Sequence, residues 1–487
     1  MTDADYDVVV IGAGPVGENV AARIRRGGLS AAVVESELVG GECSYWACIP
    51  SKALLRPPAA LAEARAVDGA RQAITGELSA EAVFARRTRF TGGWVDDSGQ
   101  VAWLDGKGAD LIRGRGRLAG ARRVEVDTPE GGTATLVARH AVVVATGSTA
   151  AIPPVPGLAE PMVWTSRDAT SADQVPGRLA VLGGGVVACE MASAWCALGA
   201  EVTVLARGPR LLDRMEPFAG ELVAASLQSA GVKVRTNTSI TRVRRLARAT
   251  PVEIWTGQTG ASPSYGQPAD LIADELLVAT GRVPRTTGLG LETIGLAPGS
   301  WLEVDDTCLV SAVAGGWLYA AGDVNHRNLL THMGKYQARA CGDAIAARAR
   351  GELTGSPAPW SGQAASADHA GAPQVIFTNP EVAAVGLTER EAASRDAPVR
   401  AVDYEIGQVA GASLYADGYS GRARFVVDTA RRVLLGATFV GPGISELLHA
   451  ATIAVVGEVP LDRLWHAVPS YPTVSEVWLR LLETYGL

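Results

Sequence analysis

A chain of 487 residues with 47% hydrophobic and 20% charged side chains is globular rather than disordered and too long for one core, so about two to four domains are expected. Its net charge of -7, with no Lys/Arg run longer than a triplet, argues against a nucleic-acid partner and leaves small molecules. Six cysteines in so long a chain do not make a secreted disulfide framework.

The N-terminus, Met1 to Asp5, leads straight into a strand pattern without a charged and then apolar leader. No apolar run reaches the roughly 20 residues of a membrane span. A cytoplasmic protein with no membrane partner is the expectation. The run Tyr6 to Ile11 reads as a buried strand; Gly12-Ala13-Gly14-Pro15-Val16-Gly17 follows, then a helical pattern through Val20, Ala21 and Ile24. Strand, glycine turn and helix together form a dinucleotide fingerprint, because the glycines let backbone N–H groups approach a pyrophosphate at a helix N-terminus. Ala31 to Val34 reads as the next parallel strand and ends in Glu35 and Ser36, placed for an adenosine ribose.

Next comes Gly40-Gly41-Glu42-Cys43-Ser44-Tyr45-Trp46-Ala47-Cys48-Ile49-Pro50-Ser51-Lys52. Zinc, a static staple and a redox pair are the three readings of Cys43 and Cys48. Structural zinc usually takes four Cys or His ligands, and no second close pair occurs. A staple across so short a loop would stabilise little. Leu179 to Leu182 leads into a second fingerprint, Gly183-Gly184-Gly185-Val186-Val187-Ala188, with a helix and then the strand Glu201 to Leu205. Here the ribose position is Ala206, followed by Arg207 and later Arg210. An acid there would repel a 2'-phosphate, whereas arginine grips one, so the second site reads as NADPH-binding. The alternative for Arg207 is a solvated surface arginine.

With a CxxxxC pair between two such units, the chain resembles the FAD-dependent pyridine nucleotide-disulfide oxidoreductases, the group of glutathione reductase, dihydrolipoamide dehydrogenase and mercuric reductase. Ala145-Thr146-Gly147 and Ala279-Thr280-Gly281-Arg282 resemble the family's two crossover turns, and Gly322-Asp323 its second flavin motif. The implied fold is α/β: an FAD domain over 1–153 and 280–350, an NAD(P) domain over 154–279, both Rossmann-like, a linker over 351–373, and an α+β dimerisation domain over 374–487. Homodimers with active sites built across the interface are implied too. The implied contacts to FAD and NADPH are Gly12, Gly14, Pro15, Gly17, Glu35, Ser36, Gly41, Lys52, Ala145, Thr146, Gly147, Gly183, Gly185, Glu190, Arg207, Gly281, Arg282, Gly322 and Asp323. No resident metal is implied.

On that resemblance Cys43 and Cys48 form the redox disulfide, Cys48 beside the flavin as charge-transfer thiolate and Cys43 as interchange thiol. Lys52 is expected to pair with Glu190. The family's His-Pro-Thr-x-x-Glu ending, whose histidine is the acid-base for thiol exchange, appears here as Tyr471-Pro472-Thr473-Val474-Ser475-Glu476. A phenol keeps its proton at neutral pH where an imidazole exchanges it, a loss of roughly 10² to 10⁴ in thiol–disulfide turnover. Mercuric reductases share the tyrosine and the Leu205-Ala206-Arg207 run, but this chain has no cysteine after Cys341 to pass Hg(II) inward. The resulting expectation is an NADPH-dependent FAD oxidoreductase relaying electrons through Cys43 and Cys48 to a small acceptor: a disulfide, a quinone or a soft metal ion. A dihydrolipoamide dehydrogenase-type or other small-disulfide reductase is the nearest alternative, and a redox-sensing flavoprotein with incidental turnover the one from another class. His466 reads as a packing or surface histidine, and Cys189, Cys196, Cys308 and Cys341 as core residues.

Overall fold

A computed structural model describes residues 4–159, 162–260, 262, 266–395 and 398–487. The chain divides into two compact units, Met1–Pro50 with Thr88–Thr149 and Arg282–His369, and Ser51–Arg87 with Ala150–Gly281 and Ala370–Leu487.

In the first unit, strand β1 (Ala4–Ile11) lies between β2 (Ala31–Glu35) and β6 (Thr133–Val144) and is parallel to both, with Val8 opposite Ala31 and Ala141. Beyond β2 lies β3 (Asp110–Arg113), and antiparallel β5 (Arg123–Asp127) and β4 (Arg115–Leu118) extend the other side. The strand Leu318–Ala320 pairs in parallel with β6, so the sheet is completed by chain from far downstream. Both faces of β1 are buried, as expected of a central parallel strand. Val8 and Val10 pack with Val20, Ile24, Cys341 and Ile345, whereas Val9 and Ile11 pack with Leu118, Leu136, Val142 and Leu318. Helix α1 (Pro15–Arg26) crosses the helix Thr331–Ala349 closely, because Gly342 presents no Cβ to the Arg23 side chain. Two helices follow β2: the short α2 (Gly41–Tyr45), and the longer α3 (Cys48–Arg65), in which the chain passes into the second unit.

The second unit holds a parallel sheet ordered β9-β8-β7-β10, made of β7 (Arg178–Leu182), β8 (Glu201–Leu205), β9 (Lys233–Arg235) and β10 (Glu275–Val278), with helix α4 (Val186–Ala197) between β7 and β8. Its C-terminal part is a five-stranded antiparallel sheet covered by the helices Leu448–Val456 and Val477–Tyr485. The α/β architecture expected from the sequence, with two Rossmann-like folds and an α+β domain, is therefore the one observed. Among the described residues no helix is long and apolar enough to cross a membrane.

Candidate redox and nucleotide sites

The turn after β1 works because it lacks side chains. Gly12 has φ +103°, and a Cβ there would lie 2.6 Å from the Ala145 carbonyl oxygen. A Cβ on Gly17 would overlap the Gly12 carbonyl oxygen, and one on Gly41 (φ +56°) would come within 2.7 Å of the Gly14 Cα. The start of α1 is thus seated against both the strand turn and α2. At the end of β2 the Glu35 carboxylate accepts from the Ala13 N–H at 2.7 Å and the Glu37 N–H at 2.8 Å. Burial holds this carboxyl above its ordinary range despite those donors.

Gly322 and Asp323 form a second turn in the same unit. Asp323 Oδ2 accepts from Ser148 Oγ at 2.6 Å, and Arg282 Nε donates to the same Ser148 Oγ at 2.5 Å. The Gly322 N–H donates to Gln337 Oε1 at 2.8 Å, and Asn325 Nδ2 donates to it as well. Gln337 Nε2 donates in turn to Asp368 Oδ2 at 2.9 Å. A buried carboxylate therefore sets which way the Gln337 amide faces, and the amide pins the turn. Burial pushes the Asp368 carboxyl up to about 6. A raised folded-state value means that this group's stabilisation is complete below the ordinary carboxylate range and is lost as pH rises through about 6. Asp368→Asn is expected to remove roughly 2 kcal/mol of the fall in stability between pH 4 and pH 7, read as a flatter pH dependence of the thermal midpoint.

Cys43 lies on α2, and Cys48 is the first residue of α3. Both are thiols here, and Cys48 Sγ lies 3.3 Å from Thr331 Oγ1. A hydrogen bond to Cys48, with burial next, pushes the Cys43 thiol up, and Thr331 and Lys335 oppose this. Tyr45 points inward: its ring is buried, its carbonyl accepts from Trp94 Nε1 at 2.7 Å, and its ring centroid is 5.7 Å from that of Trp46. The aromatic pair between the cysteines thus pins the loop.

In the second unit Lys52 Nζ donates to Glu190 Oε2 at 2.7 Å, and Glu190 Oε1 accepts the Phe377 N–H at 3.0 Å. The Glu190 side chain is 4% exposed, so this pair is a fixed feature and not a surface contact. Gly183 has φ +135°, and a Cβ on it would overlap the Ala279 carbonyl oxygen, whereas Gly185 faces open space. Arg207 is exposed just past the end of β8, and its carbonyl accepts from Thr259 Oγ1 at 3.1 Å. Arg210 is engaged by Asp213 at 3.3 Å. Gly281 has φ +154°, and its carbonyl accepts the Ala151 N–H. Tyr471 is 75% exposed. The buried Glu476 accepts from Arg480 Nη2 through Oε1 at 2.6 Å, and its Oε2 has no hydrogen-bond partner among the described residues. His466 is exposed. Among the described residues no cluster of three or more His, Cys, Asp or Glu could hold a metal ion.

Thr331, Lys335, Gln337 and Glu18 went unread in the sequence. The first three lie nearly 300 residues from the cysteines, and Glu18, in the first turn of α1, reads as an ordinary acid complementing the helix dipole.

Comparison with known proteins agrees with this geometry. A family model described as "pyridine nucleotide-disulphide oxidoreductase" matches residues 6–347, and that of its dimerisation domain matches 372–481. The chain is 33% identical to dihydrolipoyl dehydrogenase 3 of Pseudomonas aeruginosa, over 97% of this chain and 96% of that protein. It is 30% identical to a mercuric reductase of Staphylococcus aureus, over 97% and 81%. Solved structures of the same fold include a hypochlorous-acid-induced flavoprotein disulfide reductase of Escherichia coli in a Cu(II) complex, with TM-score 0.80, 23% identity and 99% of both chains covered. LpdA of Mycobacterium tuberculosis matches with TM-score 0.81 and 24% identity over 100% of both chains.

Proposed function

Because this chain belongs to the pyridine nucleotide-disulphide oxidoreductase family of FAD-dependent enzymes, we propose that it uses NADPH to reduce a small acceptor through Cys43 and Cys48. The observation that carries this reading is the pair itself, Cys43 on α2 and Cys48 at the start of α3, with Thr331 Oγ1 3.3 Å from Cys48 Sγ.

The residues present fit FAD. Gly12 and Gly17 leave room for backbone alone, Gly14 and Gly41 nearly touch, and the buried Thr146 Oγ1 has no protein partner among the described residues. In this reading Gly12, Gly14, Pro15 and Gly17 hold the pyrophosphate, Glu35 and Ser36 the ribose, Asp323 the ribityl chain, and Gly41, Ala145, Thr146, Gly147, Gly322 and Arg282 shape the cradle. FAD, when bound, supplies two-electron transfer between the pyridine nucleotide and the cysteine pair. Cys43 meets the acceptor, and Cys48 Sγ is oriented by Thr331. Gly183, Gly185 and Gly281 make the NADPH site, Arg207 grips its 2'-phosphate, and the Lys52–Glu190 pair orients the nicotinamide end. The dimerisation domain supports a homodimer, in which each protomer lends Tyr471 and Glu476 to its neighbour's cysteine pair.

With a phenol at 471, we favour an acceptor that needs little acid-base help: a quinone, a soft metal ion or a reactive disulfide. The 33% identity to a dihydrolipoyl dehydrogenase supports a second reading, a small-disulfide reductase that tolerates Tyr471; fast turnover with dihydrolipoamide and NAD would favour it. Anaerobic titration with NADPH and, separately, NADH tests the relay. The expected result is a long-wavelength thiolate–flavin band that forms faster with NADPH and is missing in Cys48→Ser; direct bleaching with no cysteine-dependent band would overturn it. Arg207→Ala is expected to raise KM for NADPH about 10- to 100-fold and leave KM for NADH unchanged, because one charged hydrogen-bond pair is removed.

A further inference from the structure

Resting on the reading of Gly322 and Asp323 as a turn that holds FAD, we propose that Asp368 and Gln337 are positioning residues for that cofactor. They fix the turn that carries Asp323, so that docking of the segment 360–369 and binding of FAD strengthen one another.

The segment is tied down along its length. Ala364, Ala365 and Ser366 are buried, and a short helical turn, Ser366–His369, follows. The Ala365 N–H donates to the Asp306 carbonyl at 2.8 Å. Tyr336 Oη donates to the Ala364 carbonyl and accepts the Ala367 N–H, both at 3.2 Å, and Asn328 Nδ2 donates to the Asp368 carbonyl at 3.2 Å. These contacts bring the Asp368 side chain, 1% exposed, against Gln337 on the helix Thr331–Ala349.

Asp368 then decides which end of the Gln337 amide faces the turn. A carboxylate only accepts hydrogen bonds, so Oδ2 takes Gln337 Nε2 at 2.9 Å and leaves Oε1 for the other side. There the turn presents two donors, the Gly322 N–H and Asn325 Nδ2, each at 2.8 Å. A reversed amide would set donor against donor twice around a side chain that is 0% exposed.

The carboxylate is itself held. Arg327 Nε lies 3.4 Å from Asp368 Oδ2, and Arg327 Nη2 lies 2.6 Å from Asp306. Asp368 Oδ1 has no hydrogen-bond partner among the described residues. On stability alone a buried carboxylate satisfied on one oxygen is a loss, and what it secures is the Gln337 amide.

The turn so pinned is seated on the start of α1. Gly322 has φ +81°, and a Cβ there would lie 2.8 Å from Val16 Cγ2. A turn free to tilt would carry the Asp323 carboxylate away from Ser148 Oγ and from the cofactor that it holds in this reading. Coupling of this kind is reciprocal: whatever the docked segment adds to FAD binding, FAD adds to docking.

The test uses the full-length chain stripped of FAD and titrated back, with Kd read from quenching of flavin fluorescence. Asp368→Ala is expected to raise Kd about 10-fold, and Gln337→Met about 10- to 100-fold because both bonds to the turn go with it. Asp368→Asn, whose amide oxygen still accepts from Gln337 Nε2, is expected to stay within about threefold of the wild type. The second readout is amide hydrogen exchange over residues 360–369: FAD is expected to slow it in the wild type and in Asp368→Asn, and not in Asp368→Ala. An unchanged Kd in Asp368→Ala, equal losses in the Ala and Asn variants, or wild-type exchange that ignores FAD overturns the proposal. Asp323→Ala separates it from the reading beneath it. If that variant binds FAD as the wild type does, the flavin reading of the turn falls and this proposal with it; if it weakens FAD while Asp368→Ala does not, the coupling alone is lost. Should Gln337→Met fail to fold, the two Asp368 variants decide.

Discussion

Exchange of Cys43 for serine is expected to lower NADPH-driven reduction of a disulfide acceptor by at least about 10³-fold while FAD stays bound. An alcohol is far less acidic than a thiol and cannot form the mixed disulfide through which exchange proceeds. Removing a nucleophile typically forfeits rate on that scale or beyond. Serine is close to cysteine in size, and the partly buried Cys43 site on α2 offers no reason for the fold to change. NADPH oxidation with a chromogenic aromatic disulfide, normalised to bound flavin, measures the effect. Retention of more than a tenth of wild-type turnover would take Cys43 off the electron path.

The second large effect is expected at Gly17. A methyl group there would overlap the Gly12 carbonyl oxygen and lie 3.4 Å from Val10 Cγ1. Backbone cannot rotate away as a side-chain tip can, so relief requires α1 to lift off the turn that it caps. The cost is about 3 kcal/mol or more, set against a gain of about 1 kcal/mol from alanine's better helix propensity. Gly17→Ala is therefore expected to purify without FAD and with a lowered thermal midpoint. Gly185→Ala gives the contrast, since a Cβ there meets no protein atom within 4 Å: the fold and FAD should survive, and NADPH affinity alone should fall. Equal behaviour of the two variants would refute the assignment of the two turns to two nucleotides.

Some of this was legible in the sequence. The glycine turns follow from sterics among neighbouring residues: Gly12 and Gly183 carry positive φ at the ends of apolar strands, and an apolar run, a glycine triplet and a helical period announce such a turn before any tertiary contact forms. Glu35, ending β2, is likewise a local consequence of strand length. The CxxxxC spacing places Cys43 on one short helix and Cys48 at the start of the next helix, again by local geometry. The resemblance to the family drew on these local patterns, and Tyr471 in place of the family's histidine was the departure from it that the sequence showed.

Only the tertiary structure decided the surroundings. Thr331 meets Cys48, Glu190 meets Lys52, and the Gln337–Asp368 pair steadies the turn at Gly322, each across a gap in sequence that no periodicity encodes. Glu18 shows the difference most plainly: an acid in the first turn of a helix is by pattern a solvated complement to the helix dipole. Packing of α2 and the helix Thr331–Ala349 around α1 buries it instead. Local sterics are written in adjacent residues, but desolvation and the pairing of distant charges exist only once separate elements close on one another, so the chemistry of a side chain such as Glu18 is set by its neighbours in space.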